Sequence, residues 1–391
     1  MDFGRRWLGV LTSGSETSHG VRVGARFHWK VTQQRLVGAV VAVVAGVAGP
    51  SAAAATEIGQ QIADEVDVAS YQGYLENELF THDGDDRGVF GADHDAARNN
   101  IASILDGFGL EVEFHTFSVG PFTGFNVVAT QAGTTYPDAQ YIVGAHYDSA
   151  ENPGADDDAS GVAGLLEIAR VLSQYETDFT VKYIAFDFEE WGLLGSSAYV
   201  EDHIDDDIRG MIQLDMIAHQ IGEFPESDIY GSPESDPLKV ALLLAILEYG
   251  NGIHSALHDA FDASDHAPFE WAGFEACLLS EKDVFNNPCL HELCDSVDTP
   301  DYLFYGFAAD LERSVAGLLA DLAGVVVDEP CAGDANGDGT VDPLDGGYVQ
   351  ARFGCPVGTG DASCDAADQN LDGAVDPLDV GLVLAHFGDC P

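Results

Sequence analysis

The chain has 391 residues, and its 15 basic side chains stand against 67 acidic ones, a formal net charge of −52 at pH 7. So acidic a balance excludes nucleic acid as a partner, because its phosphates would be repelled. It also implies strong self-repulsion, which bound cations or a saline medium would offset. The length suits one large domain with smaller flanking segments.

The first 55 residues have the layout of a secretory signal. Four basic residues between Arg22 and Arg35 precede the apolar run Leu36 to Ala48, and small residues follow up to Ala55. A membrane anchor is the alternative, but it would need about 20 apolar residues, and this run is shorter. We therefore predict cleavage near Thr56, an extracellular location and no membrane span in the mature chain.

Beyond this leader, four apolar runs suited to buried parallel strands are each followed by residues that can bind a metal. The runs and their followers are Ala139 to Ala145 with His146, Val181 to Phe188 with Glu189 and Glu190, Met211 to Leu214 with Asp215, and Ala276 to Ser280 with the loop that holds His291. Open α/β sheets bind ligands at the carboxyl ends of their strands. The pattern predicts an α/β fold with its site at this edge.

The residue types point to a two-metal hydrolase. Zinc takes His nitrogen and carboxylate oxygen, and two ions about 3.5–4 Å apart need a bridging carboxylate. The candidate ligands are His146, Asp157, Glu190, Asp215 and His291. Glu189 would be left unligated and able to take a proton from the attacking water. Asp148 suits the role of orienting the imidazole of His146 through its other ring nitrogen.

These residues carry a family resemblance. The motifs are His146-Tyr-Asp148-Ser, Gly-Ala-Asp-Asp157-Asp-Ala-Ser-Gly, Phe-Glu189-Glu190-Trp-Gly-Leu-Leu-Gly-Ser, Gln-Leu-Asp215-Met and Asn-Pro-Cys-Leu-His291. In order and spacing they resemble the secreted co-catalytic zinc aminopeptidases of the bacterial leucyl aminopeptidase type, over roughly residues 71 to 322. The resemblance implies a three-layer α/β sandwich, the zinc exopeptidase fold, with a mixed, mostly parallel central sheet.

The same resemblance assigns roles to the ligands. It implies two zinc ions, with Asp157 rather than Asp156 or Asp158 as the bridge. One ion would take His146 and Asp215, and the other Glu190 and His291. The expected activity is removal of N-terminal residues from peptides and proteins with a free N-terminus.

Two details near His291 bear on this resemblance. Some relatives place a Tyr before this His to stabilise the oxyanion, whereas this chain has Leu290, so stabilisation would fall mainly on the metals. Cys289 and Cys294 flank His291 and are expected to form a disulfide that pins the ligand loop, as in some relatives.

Other readings of these residues remain open. A glutaminyl cyclase, a single-zinc acyl transferase on a related fold, and a zinc carboxypeptidase are the alternative activities. Taken singly, Glu189-Glu190 could be a solvated pair and Asp156 to Asp158 an acidic turn. Ser264-Asp265-His266 recurs near the substrate pocket of relatives, but a structural histidine is the favoured reading of His266. Asp205 to Asp207 is most simply a solvated face.

The tail contains a repeat with an offset of 34 residues, in which Asp334 to Asp345 recurs as Asp368 to Asp379. Oxygen-bearing residues at loop positions 1, 3, 5, 9 and 12, with Gly at position 6, are the pattern that wraps Ca²⁺. We predict two calcium ions. The predicted ligands are the residues at positions 1, 3, 5, 7 and 12, namely Asp334, Asn336, Asp338, Thr340 and Asp345, then Asp368, Asn370, Asp372, Ala374 and Asp379.

An Asp at position 12 and a single helix after each loop, predicted at Gly346 to Phe353 and Val380 to Phe387, resemble a type I dockerin. This implies a small helical calcium-loop repeat domain whose folding depends on calcium. A cohesin-like or cell-surface partner is expected. However, the positions that dockerins commonly use for cohesin are Pro343-Leu344 and Pro377-Leu378 here. There are two alternatives. The tail could be a small domain stabilised by calcium that has no partner, or it could be the only part of the chain that matters biologically.

The predicted organisation is a leader over residues 1–55, a catalytic domain over 56–328 and the dockerin-like domain over 329–391. Seven cysteines in a secreted chain favour disulfides. Four of them, Cys331, Cys355, Cys364 and Cys390, bracket the repeats and allow three pairings. Cys277 is left over as a buried thiol.

Overall fold

The structure is a computed structural model that describes residues 56–259, 261–326, 333–336, 340–358 and 362–389. The predicted signal segment, residues 1–55, lies outside the described residues, and so does the predicted boundary between residues 328 and 329. Within the described ranges, no helix combines the length and the hydropathy that a membrane crossing requires.

The catalytic region is built from ten strands and eight α-helices among its described residues. The helices are α1 (Glu57–Asp64), α2 (Val68–Asn77), α3 (His94–Gly107), α4 (Ala159–Leu172), α5 (Leu194–Asp202), α6 (Asp236–Tyr249), α7 (His266–Ala272) and α8 (Tyr305–Ala323). The strands are β1 (Glu111–Val119), β2 (Phe122–Gln131), β3 (Tyr136–His146), β4 (Glu176–Thr177), β5 (Phe179–Phe186), β6 (Asp207–Leu214), β7 (Glu226–Tyr230), β8 (His254–His258), β9 (Ala276–Glu281) and β10 (Val325–Val326).

Eight of these strands form one sheet in the order β1-β2-β5-β3-β6-β9-β7-β8. The central strands β5, β3, β6 and β9 run parallel to one another. The pairs β1-β2, β2-β5 and β9-β7 are antiparallel, and β7-β8 is parallel. The prediction of a mixed, mostly parallel sheet is confirmed.

The sheet is covered on both faces, because side chains of its central strands alternate between two cores. In β3, Ile142 packs in a smaller cluster with Tyr199 of α5 and Phe269 of α7. The next residue, Val143, packs in the main cluster, to which α1 to α4, α6 and α8 contribute. The result is the expected three-layer arrangement of helices, sheet and helices.

The apolar runs identified in the sequence are the central strands of this sheet. Several bounds differ by a few residues: β3 and β6 begin before their apolar runs, at Tyr136 and Asp207, and β5 ends at Phe186, two residues before its run ends. Since β5, β3, β6 and β9 are parallel neighbours, their carboxyl ends meet at one edge of the sheet. His146 lies in the last position of β3, and Asp215 directly follows β6.

A two-stranded ribbon closes the catalytic region. After α8, Val325 and Val326 pair with Thr177 and Glu176. Glu176–Thr177 comes just before β5, so the last described residues of the region return to the amino end of the main sheet.

The tail forms two short helical units. Its elements are β11 (Thr340–Val341), α9 (Pro343–Gln350), α10 (Ala362–Asp365), α11 (Pro377–Ala385) and β12 (Gly388–Asp389). Both principal helices begin three residues earlier than predicted. Asp342 and Asp376 accept from the backbone amides of Leu344 and Leu378 as N-caps, and a proline follows each in the first helical turn. Proline favours this position, so the helices start inside the loops.

Candidate active site

The carboxylate of Asp157 lies between the two histidines that are predicted zinc ligands. Asp157 lies with Oδ1 3.2 Å from Nε2 of His146 and Oδ2 3.1 Å from Nε2 of His291. His146 and Asp157 are buried. A single carboxylate between two imidazoles, each offering a ring nitrogen, is the arrangement expected of a bridge between two ions.

The other two predicted ligands lie on either side of this bridge. Glu190 Oε2 is 3.2 Å from Nε2 of His291, and Asp215 Oδ1 is 3.9 Å from Nε2 of His146. The ligand atoms of Asp157, Glu190 and His291 all lie within 4.8 Å of one another, and so do those of His146, Asp158 and Asp215. The structure therefore brings together all five predicted residues.

The carboxylates of Asp158 and Asp156 lie near the cluster but accept hydrogen bonds from backbone and side-chain amides. Asp158 caps α4 by accepting from Gly161, and it also accepts from the amides of His146 and Met216. Asp156 accepts from the amide of Ala218 and the side chain of Asn287. Only Asp157 of the three contacts both imidazoles, which favours it as the bridging residue.

Asp148 lies beside the other ring nitrogen of His146, where the sequence analysis placed it. Nδ1 of His146 faces the backbone carbonyl of Asp148 at 3.0 Å, while the nearer carboxylate oxygen is 3.6 Å away. The carboxylate instead accepts from the backbone amides of Glu189 and Glu190, at 3.0 and 3.2 Å. It points there because the turn after β5 presents two free amides. Asp148 thus fixes the Glu189-Glu190 turn, and its carbonyl holds His146 in the tautomer that leaves Nε2 free.

The cluster concentrates negative charge in a buried place. Burial beside Asp157 raises the pKa of Glu190 to about 8, and burial raises the pKa of Asp215 to about 6. The hydrogen bond to Asp157 raises the pKa of His291 to about 9. For Asp157 itself burial opposes ionisation, but the hydrogen bonds with His146 and His291 outweigh it and lower the pKa.

This chemistry fits bound cations. The carboxylates cannot all ionise comfortably beside one another, and Glu190 Oε1 is buried without a hydrogen-bond partner. Imidazole nitrogens and carboxylate oxygens together are a donor set that zinc takes. The residues present therefore fit the two zinc ions that the sequence predicts.

The loop that carries His291 is fastened at several points. A disulfide joins Cys289 to Cys294 on either side of it. The side chain of Asn287 donates to both Asp156 and Glu281 and accepts from the amide of Cys289. His291 itself has a positive φ of 57°. The loop is therefore fixed both covalently and by buried hydrogen bonds.

Sequence reasoning missed Arg87, a fully buried arginine without a carboxylate partner. Its guanidinium donates to the carbonyls of Tyr147, Pro153 and Gly154. These carbonyls belong to the segment between His146 and Asp157, so Arg87 ties both ends of that segment together. Burial lowers the pKa of Arg87, while the nearby carboxylates oppose this. No periodicity marks this residue in the sequence.

Two further supporting residues were missed or left unassigned. The carboxylate of Asp295 accepts from the backbone amides of Asp156 and Asp157, at 2.7 and 3.0 Å, and so holds the candidate bridge. Ser264 donates to Oδ2 of Asp215 at 2.6 Å. His266 is buried, as a structural histidine would be.

In the tail, the predicted calcium ligands gather within each loop. Asp345 accepts from the amides of Asn336 and Asp342, and Asp379 accepts in the same way from Asn370 and Asp376. Asp368 accepts from the amides of Asp372 and Gly373. Clustered carboxylate and amide oxygens are donors that calcium takes, so these loops fit the ion. Asp338 lies outside the described residues.

Cys355 is bonded to Cys364 in the tail, which selects one of the pairings left open by the sequence. Cys331 and Cys390 lie outside the described residues. Cys277 on β9 is a buried free thiol, as expected.

Comparison with known proteins supports the peptidase fold and the metal. Over 113 residues the chain is 39% identical to a protein of Pyrenophora teres f. teres named "Probable zinc metalloprotease", covering 26% of this chain and 24% of that protein. Over 172 residues it is 33% identical to aminopeptidase YwaD of Bacillus subtilis, covering 42% and 36%. The chain thus spans only about a quarter to a third of the length of these curated relatives.

Solved structures give the fold but not the reaction. The LapA aminopeptidase of Legionella pneumophila superposes with a TM-score of 0.59 at 19% identity, covering 68% of this chain and 74% of LapA. The glutaminyl cyclase of Bacteroides thetaiotaomicron superposes with a TM-score of 0.55 at 20% identity, covering 65% and 97%. Both share the three-layer fold, so the fold alone does not separate peptidase from cyclase.

Two family models match separate parts of the chain. Residues 126–315 match the model of peptidase family M28, and residues 332–387 match that of the dockerin type I domain. Both resemblances drawn from the sequence motifs are therefore confirmed. The chain therefore contains a region similar to peptidase family M28, followed by a region similar to the dockerin type I domain.

Proposed function

We propose that the catalytic region is a secreted, zinc-dependent aminopeptidase that removes N-terminal residues from peptides and proteins. The observation that carries the proposal is Asp157, whose two carboxylate oxygens each lie against one imidazole, of His146 and of His291. Glu190 and Asp215 complete a two-ion ligand set, and Glu189 remains beside it. The domain family and the names of the sequence relatives support the same class of reaction.

The zinc sites in this proposal use His146 and Asp215 for one ion, Glu190 and His291 for the other, and Asp157 for both. Two zinc ions bound there would supply Lewis acidity to the scissile carbonyl and lower the pKa of a water molecule. Asp148, Asp295 and Ser264 hold these ligands in place through the contacts described above.

Glu189 acts as the general base. Its Oε2 is 4.0 Å from Nε2 of His146, and its backbone amide is fixed by Asp148 at 3.0 Å. Burial raises the pKa of Glu189 well above its usual range, and bound zinc ions would oppose this shift by favouring the ionised carboxylate. The carboxylate takes a proton from the attacking water and then donates it to the leaving amine nitrogen, so that one group serves both steps.

The charge around the cleft favours an aminopeptidase over a carboxypeptidase. The cavity beside Glu190 and His291 is lined by acidic and aromatic side chains, and no Lys or Arg is among its lining residues. A carboxypeptidase needs a cation to hold the substrate's terminal carboxylate. A free α-amine, in contrast, is attracted to carboxylates.

A glutaminyl cyclase is the second candidate, favoured by the shared fold. The two reactions are separated by incubating purified residues 56–391 with aminoacyl p-nitroanilides, free and N-acetylated, and with an N-terminal glutaminyl peptide. Zinc content is measured on the same sample. Hydrolysis of only the free-amine substrates with about two zinc ions per chain supports the aminopeptidase, whereas cyclisation of the glutaminyl peptide with one zinc ion would replace it.

For the dockerin domain we propose calcium binding and attachment to a cohesin-like extracellular partner. Leu344 and Leu378 occupy the same position in the two repeats and are 66% and 65% exposed. Deletion of residues 330–391 should abolish attachment while leaving peptide hydrolysis intact. Loss of hydrolysis in the truncated protein would show that the domain has a catalytic role instead.

A further inference from the structure

The cavity beside the second zinc site has features that bear on the choice of substrate. It has a volume of about 420 Å³, and Glu190 and His291 form one side of it. A side chain bound there would lie directly beside the bond that is cleaved. The opposite walls come from the Asp86 to Gly91 segment and from Ser149 to Glu151.

The aromatic residues that line the cavity are Phe90 and Trp191, which are 60% and 49% exposed. Phe122, which is 43% exposed, packs against Phe90 outside the lining. The ring centroids of Phe90 and Trp191 are 5.3 Å apart, and those of Phe90 and Phe122 are 4.8 Å apart. Trp191 is also supported from behind by Phe188. Contiguous exposed aromatic surface is costly to hydrate and is typical of ligand-binding walls.

The remaining walls are acidic. Asp86 and Glu151 line the cavity, and no Lys or Arg is among its lining residues. Among the described residues, the Glu151 carboxylate makes no hydrogen bond or ion pair, while Oδ1 of Asp86 accepts from the amide of Gly88 at 2.9 Å. Both carboxylates can therefore receive a positive group without losing a basic partner.

Aromatic faces and carboxylates together select one kind of side chain. The faces of Trp and Phe attract cations as well as apolar groups, and the long aliphatic stems of Lys and Arg pack on apolar surface while the charged end stays polar. An acidic side chain would be repelled by Asp86 and Glu151. The net charge of −52 further favours the approach of cationic peptides.

We propose that this cavity binds a Lys or Arg side chain of the substrate, next to the scissile bond. The stem packs against Phe90 and Trp191, and the charge faces Glu151 and Asp86. The inference rests on the proposed aminopeptidase activity, and it names the class of substrate: peptides with a basic residue at the first or second position.

The test compares lysine with norleucine, which has a similar unbranched chain without the ammonium group. One series places them first, as the p-nitroanilides, and the other places them second, as Leu-Lys and Leu-norleucine amides. The full zinc-loaded chain should show a kcat/KM ratio of lysine to norleucine of about five or more in one series. An exposed ion pair accounts for about a fivefold effect. The series that shows it identifies the position of the bound side chain.

Variants locate the effect. Glu151→Gln should lower the ratio about fivefold and Glu151→Lys should bring it below one, while norleucine turnover stays nearly constant. Trp191→Leu should lower kcat/KM for both substrates, and more for lysine. Glu176→Gln and Tyr136→Ala, which change exposed residues at the far end of the sheet, are the matched controls and should leave the ratio unchanged.

The outcomes are distinct. A wild-type ratio near one in both series, or a ratio that neither Glu151→Gln nor Trp191→Leu alters, overturns the assignment of the cavity while the aminopeptidase stands. Failure of the wild-type protein to hydrolyse any substrate of either series overturns the proposed function, and this inference with it.

Discussion

The two cation-binding regions of this chain are constructed in opposite ways. In the catalytic region the proposed zinc ligands come from widely separated positions, such as His146, Asp215 and His291, which lie at or beyond the ends of different strands. Side chains such as Asp148, Asp295 and Arg87 form hydrogen bonds with the backbone segments that carry these ligands. In the tail, each set of ligands lies within twelve consecutive residues, and carboxylates such as Asp345 bond the amides of their own loop.

The difference follows the size of the hydrophobic core. The main cluster of the catalytic region draws on α1 to α4, α6 and α8, so the fold can hold a crowded acidic site by itself. The buried core of the tail consists of small residues, namely Ala335, Val341, Val349, Ala367, Val375 and Val383. A core of this size contributes little stability, and a bound metal then becomes part of the folding energy. The hydrophobic core supports the catalytic site, whereas we expect bound calcium to support the fold of the tail.

Removal of calcium should change the structure most, because it should unfold the tail and leave the catalytic region folded. In calcium-free protein with zinc maintained, we expect residues 332–389 to lose their fold while the catalytic region keeps its own. Limited proteolysis with mass spectrometry measures this, and added calcium should restore protection. Asp379→Asn should weaken protection at a given calcium concentration. A protease-resistant tail without calcium would show that its core and the Cys355–Cys364 disulfide suffice.

Glu189→Gln should separate chemistry from ion binding in the catalytic region. We expect kcat to fall about 10³-fold, because a positioned general base contributes about 10² to 10⁴-fold. Zinc content, measured on the same sample, should not change, since Glu189 is not a proposed ligand. Glu190→Gln is the matched comparison and should lose zinc together with activity. An active Glu189→Gln enzyme would remove the general-base assignment.

Arg87→Met should show whether the Arg87 guanidinium stabilises the segment that joins His146 to Asp157. The change leaves buried carbonyls of Tyr147, Pro153 and Gly154 without a donor, and we expect about 3 kcal/mol of destabilisation. Zinc affinity should weaken as well, because the segment joins His146 to Asp157. Arg209→Met, at an exposed arginine paired with Asp207, should change stability by less than about 0.5 kcal/mol. Unaltered stability and zinc affinity in Arg87→Met would count against this stabilising role of Arg87.

The smallest expected effect is on the pH dependence of stability. Burial lowers the pKa of His266 from 6.5 to about 3. Between these values the unfolded chain binds a proton that the folded chain does not, so His266 makes stability fall as pH falls below 6.5. At pH 5 this amounts to about 2 kcal/mol. The loss of unfolding free energy between pH 7 and pH 5 should be about 2 kcal/mol smaller in His266→Gln; equal losses would mean that His266 becomes solvated.

The sequence predicted the parts of the site that follow from strand order. His146 and Asp215 each adjoin an apolar run, and parallel pairing then brings them to one edge of the sheet. The duplicated loops were equally visible, because all their ligands lie in one short segment. These features depend on local pattern and on a general rule of sheet topology.

The supporting contacts could not be predicted in the same way. Arg87 lies 60 residues before Tyr147 in numbering order, and only tertiary packing shows that its guanidinium meets that carbonyl. Asp148 was expected to orient His146 through its other ring nitrogen, but the sequence could not show that its carboxylate also accepts from the two backbone amides after β5. The starts of α9 and α11 were placed too late because the capping of Asp342 and Asp376 was not considered.

The ribbon of β4 and β10 determines where the chain leaves the catalytic region. Val325 and Val326 end beside Glu176, at the amino end of the main sheet, whereas Glu189 follows the carboxyl end of β5. An eight-residue strand spans about 26 Å. Val326 therefore lies on the side of the sheet away from the cleft. A partner attached from this point would leave the mouth of the cleft open to incoming peptides.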